Sequence, residues 1–143
     1  MNGNVELLNY VYQNSQMGPD TINQLLDIVE DAEFKNQLQS QYNEYEGIHE
    51  EAKNLLNKNG YDEKSLNAFE KIRTSLMINM QTLTDKSSSH IAEMLIIGSN
   101  MGVTDAIKNI KKYKKNTNPD IINLMEKLKT FEEENIASLK EFL

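Results

Sequence analysis

Residues 14–26 read NSQMGPDTINQLL, and residues 98–110 read GSNMGVTDAIKNI. Ser15 meets Ser99 and Met17-Gly18 meets Met101-Gly102 at an offset of 84 residues. Further along, Ile22 meets Ile107 and Leu25 meets Ile110, so the offset drifts by a residue. A phrase said twice in 143 residues marks a duplicated unit. Its surroundings say what the unit is. Apolar residues recur at helical spacing on both sides of each copy, and period-two alternation is hard to find. The fold class is all-α.

Working outward, five helices emerge. The first runs from about Asn4 to about Asp31, with Leu8, Val11, Ile22, Leu25 and Val29 on one face. The second runs from about Glu33 to Asn57 and stops at Asn59-Gly60, a C-terminal signal. Its stripe is Phe34, Leu38, Tyr42, Tyr45, His49, Ala52 and Leu56. A third helix covers about 63–83. Serines at 87–89 then supply caps for a fourth over about 88–115, which ends in the cations of KKYKK, suited to the negative end of the helix dipole. Asn118 caps the fifth, Pro119 is its first residue, and it carries Leu124, Leu128, Phe131 and Leu139 inward as far as about Phe142. Short turns make the first two and the last two helices into antiparallel hairpins, over 4–60 and 88–143, and the segment 61–87 carries the crossover helix. The whole chain is one domain.

Composition narrows the function. Apolar residues are 38% of the chain and charged ones 26%, ordinary for a globular domain. A net charge of −7 disfavours nucleic acid and anionic membrane as partners. There is no cysteine, which excludes disulfides, thiolate metal sites and cysteine nucleophiles. No apolar run approaches the roughly 20 residues that span a bilayer, and the first residues lack the pattern of a secretory signal. A cytoplasmic setting is expected. The abundance of Asn, Lys and Ile points to an AT-rich bacterial genome.

Two matched hairpins joined by a crossover resemble the ferritin-like superfamily, in phrasing most of all the short ferritin-like four-helix proteins of anaerobic Gram-positive bacteria. The resemblance covers nearly the whole chain. It implies a four-helix bundle in which each hairpin supplies a lone glutamate and a Glu-x-x-His, together holding two iron or manganese ions. Glu46-x-x-His49 matches that motif, while Glu132-x-x-Asn135 matches only its first residue. Residues opposite these motifs across each hairpin read QNSQMG at 13–18 and IGSNMG at 97–102, with no carboxylate in either. A dimetal core needs about six hard ligands, mostly carboxylates. The expectation is therefore a degenerate site made of Glu46, His49, Glu132 and Asn135, with both glutamates pointing inward and partnered by amides and hydroxyls from Gln13, Gln16, Ser99 or Asn100.

Gly18 and Gly102 each cost a helix roughly 1 kcal/mol against alanine. Close helix approach, with methionine filling the space beside it, explains them. A polar pocket lined by Ser15, Gln16, Ser99 and Asn100 is the alternative. His49 on an apolar stripe reads as a core histidine bonded to Ser15 or Gln16. Asp85, His90 and Glu93 form a second candidate metal or proton-transfer cluster, although capping explains them too. Tyr10, Tyr12, Met77 and Met94 fall beyond one stripe and suggest apolar surface that a homodimer would cover. The functional expectation is a non-catalytic binding or structural protein with no cofactor. A metal-binding redox or storage protein using Glu46, His49 and Glu132 is the alternative.

Overall fold

The computed structural model describes residues 3–61 and 83–143, and these form helices joined by turns, with no strand among them. Four helices pack together: α1 (Gly3–Leu26), α2 (Ala32–Lys58), α3 (Ser88–Tyr113) and α4 (Pro119–Leu139). Thus α3 and α4 are the fourth and fifth helices of the sequence reading. The helix expected over 63–83, with Met77, lies outside the described residues.

Capping chemistry sets the boundaries. The first helix stops at Leu26 rather than near Asp31, because Asp31 is needed by the next one. Its backbone is extended, and its Oδ2 accepts from the Phe34 N–H at 2.8 Å. α2 ends at Asn59, and Gly60 follows with a φ of 72°, the left-handed conformation that glycine supplies without strain. Ser87 caps α3 by accepting from the His90 N–H at 3.2 Å. Asn118 takes the N-cap position of α4 with Pro119 behind it. Asn4, expected to cap α1, lies inside it. Its side chain accepts from the Asn118 N–H at 2.8 Å and ties the start of α1 to the start of α4.

α1 packs most extensively on α2, and α3 on α4, while α1 also meets α3 and α4, and α2 meets α4. Tyr12 and Ser15 lie against His49, and Gly18 against Tyr45, so α1 and α2 run in opposite directions. Glu51 pairs with Lys127, Tyr45 with Glu132, and Phe34 stacks on Phe142, so α2 and α4 are antiparallel too. Leu7, Leu8, Val11, Phe34, Leu38, Leu56, Ile91, Ile121, Met125 and Leu139 fill the core.

The inner face of α2 departs from expectation. Buried positions are Phe34, Leu38, Gln41, Tyr45, Ile48, Ala52 and Leu56, so Gln41 and Ile48 take places expected for Tyr42 and His49. Spacings of three and four residues keep one stripe inward, and Ile48 is the more apolar choice at its level. Met101 also differs. It is 65% exposed rather than a filler of internal space, and Ile97 beside it is 56% exposed. Tyr12 is buried and Tyr10 half-buried, so neither supplies the surplus outer surface expected of it.

Candidate functional site

Two polar constellations sit midway along the bundle. The first lies in the seam of α1 and α2. The Ser15 hydroxyl donates to the Val11 carbonyl at 2.6 Å, a back-bond within its own helix. His49 Nδ1 lies 3.1 Å from the Tyr12 carbonyl and 3.2 Å from Ser15 Oγ. A carbonyl only accepts, so Nδ1 carries a proton and donates. The imidazole also lies against the Tyr12 ring, with centroids 4.4 Å apart. His49 is thus bonded through Ser15 as expected, but it is half-buried at the edge of the stripe rather than in the core, because Ile48 takes the inward position.

The second constellation centres on Glu132, which is only 8% exposed. The Tyr45 hydroxyl donates to its Oε1 at 2.8 Å. Oε2 has no hydrogen-bond partner of ordinary geometry, although the Ser99 hydroxyl stands close enough to favour the charged form. Burial pushes the Glu132 carboxyl above its usual range, and the Tyr45 and Ser99 hydroxyls oppose this only in part. Tyr45 is pushed well up by burial and then by the Glu132 charge, so it stays a donor. The Tyr10 hydroxyl bonds the Gly102 carbonyl at 3.0 Å, and its pKa is raised by burial, Asp105 and Glu132. Asn135 is buried beside Tyr45, but its Nδ2 has no partner of acceptable geometry.

The two glycines of the repeated phrase belong to this level. A Cβ at Gly18 would come within 2.6 Å of the Tyr45 ring. The ring cannot yield easily, since Phe131 meets its other side edge-on at 4.7 Å and Glu132 holds its hydroxyl. A Cβ at Gly102 would instead lie 3.8 Å from the Glu132 carboxyl, an ordinary contact.

The expected ligand set is only partly assembled. Glu132 and Asn135 are buried in the core, as expected, and Ser99 is the expected hydroxyl that stands by the carboxylate. Glu46 is corrected. It is exposed, because the inward register of α2 passes through Tyr45 and Ile48, one residue before each member of Glu46-x-x-His49. Tyr45 is the residue missed by the sequence reading. Its signal was available in Gly18, which the antiparallel pairing sets opposite. Of the second cluster, Asp85 and Glu93 are exposed and His90 is half-buried. Asp85 accepts from the Ser87 N–H at 3.0 Å, and the Ser87 contacts hold its carboxyl below the usual range, which is capping-loop chemistry. Among the described residues no three histidines, aspartates or glutamates converge as metal ligands, and no helix is long and apolar enough to cross a membrane. No family model, curated protein or solved structure matches the chain.

Proposed function

We propose that this chain is a non-catalytic, ferritin-like binding or structural protein in which the Tyr45–Glu132 hydrogen bond occupies the place of a dimetal centre. The observation that carries the reading is the equivalence of those two residues. In the first helix of each hairpin, an offset of 84 sets Gly18 on Gly102 and the buried Ile22 on the buried Ala106, in place of Ile107, which is exposed. In the second helix, the 87-residue separation of Tyr45 and Glu132 also sets Phe34 on Ile121, Leu38 on Met125, Ile48 on Asn135 and Ala52 on Leu139, all buried. Gly18 faces Tyr45 as Gly102 faces Glu132. This supports two duplicated hairpins related by a pseudo-twofold axis, with Tyr45 and Glu132 meeting near it.

The donor set does not fit two metal ions. Glu132 offers one uncommitted oxygen, Tyr45 holds the other, Ile48 and Asn135 stand where the two histidines would be needed, and His49 has its Nδ1 bound to the protein. The test is a thermal melt of chelator-treated protein with and without ferrous iron or manganese. A ligand that binds only the folded state raises the melting temperature. The expected result is no rise. A rise in wild type that Glu132→Gln abolishes would restore the metal-binding alternative.

A further inference from the structure

The seam between α2 and α4 is lined on its outer side by polar side chains, and among the described residues it stays open. Gln37, Ser40, Gln41 and Glu44 on α2 face Asn123, Thr130, Glu134, Asn135 and Ser138 on α4 across a groove of 620 Å³, floored by Ile48 and Phe131 and open along one side. Beyond Lys127, which bridges to Glu51 at 2.9 Å, a further 400 Å³ continues toward Leu55 and Asp120. Two side chains in this groove are out of balance. Gln41 is 5% exposed and Asn135 4% exposed, and among the described residues the amide nitrogen of each has no hydrogen-bond partner of acceptable geometry, Asn135 standing only beside Tyr45. A buried donor left unpaired is costly, so both amides are set to reward an incoming acceptor.

We propose that this groove binds an extended, basic peptide segment, whose backbone carbonyls accept from Gln41 and Asn135 turned outward from the floor. The rim gives the charge preference. Glu44, Glu126 and Glu134 stand against Lys127 alone. Glu126 is paired with Lys129 at 3.2 Å and Lys127 with Glu51, while neither Glu44 nor Glu134 has a cation at ion-pair distance among the described residues. Anionic ligands are repelled and lysine or arginine side chains are drawn in. Shape selects a chain over a compact molecule. Small-molecule pockets are mostly enclosed and apolar, whereas this groove is open, straight and polar. From Gln37 to Ile48 it runs about 16 Å, room for about five extended residues. The inference rests on the proposed function only in treating the bundle as a binder. Metal melts test that reading, and peptide titration tests this one.

The experiment is fluorescence anisotropy with a short fluorescein-labelled peptide of lysines interspersed with glycines. Saturable binding with Kd on the order of 10–100 μM is expected. Gln41→Leu with Asn135→Leu should weaken it about tenfold, the worth of two modest hydrogen bonds. Glu44→Lys with Glu134→Lys, both at exposed positions, should abolish it and create affinity for the matching glutamate–glycine peptide. Spermine, a polycation without carbonyls, should compete poorly. Absence of binding, equal competition by spermine, wild-type binding of the acidic peptide, or indifference to the charge-reversed rim would each overturn the proposal. Should the leucine pair fail to fold by circular dichroism, the charge-reversed pair and spermine still decide.

Discussion

The two hairpins carry the same phrase and put it to different uses. In α1 and α2, Gly18 is a steric necessity, because the Tyr45 ring lies where its Cβ would be. In α3 and α4, Gly102 faces the Glu132 carboxyl with room to spare. The first seam is closed by rings and a tethered histidine, while the second holds a buried carboxylate whose only close donor of good geometry among the described residues comes from the other hairpin. The same motif therefore meets different chemistry, and a different amount of room, in the two halves.

The largest break in this comparison should come from Gly18→Ala. Helix propensity alone would favour the change by roughly 1 kcal/mol. Overlap with a ring pinned between Phe131 and Glu132 should outweigh that, for a net loss of about 2 kcal/mol in urea unfolding. Next is Tyr45→Phe, which leaves both Glu132 oxygens without a hydrogen-bond donor of good geometry and should cost about 1–3 kcal/mol at neutral pH.

A third test concerns pH. Glu132 has a folded pKa raised above its ordinary 4.5, so the folded state prefers the protonated acid. Its contribution to stability is complete below pH 4.5 and declines as pH rises through the higher folded value. Glu132→Gln keeps the shape without the charge. The difference in stability between wild type and this variant should shift in favour of wild type as the solution is acidified, measured by melts across that window. An unchanged difference would show that the carboxyl is not desolvated. Gly102→Ala, the counterpart of the first variant, should stabilise by about 0.5–1 kcal/mol, since the space is open and alanine is the better helix former. Equal losses at Gly18 and Gly102 would erase the contrast between the hairpins. The smallest effect belongs to Lys127→Ala, which removes a half-exposed ion pair to Glu51 and should change stability by less than about 0.5 kcal/mol.

Much of the architecture was legible from residues alone. Asn59-Gly60 and Asn118-Pro119 stop and start helices where the sequence places them, because turn and cap chemistry is local. Leu8, Val11, Ile22, Leu25 and Val29 are buried as read. The candidate site was legible on α4, where Glu132 and Asn135 lie on the buried side with Leu128 and Phe131. It was misread on α2. Glu46 and Tyr45 differ by about 100° around the helix; Tyr45 stands on the expected stripe, and only the Glu46-x-x-His49 spacing pointed to Glu46. Burying Gln41 in place of Tyr42 is decided by the facing helix, which no single-helix pattern contains.

The Tyr45–Glu132 bond has a consequence for how the halves recognise one another. Each hairpin presents one polar group at the same level, a donor on the first and an acceptor on the second. Were two copies of the first hairpin to pair, hydroxyl would face hydroxyl; two copies of the second would set carboxylate against carboxylate. Only the mixed pairing sets a phenol donor on the buried carboxylate. A single hydrogen bond thus makes each half the complement of the other and not of itself.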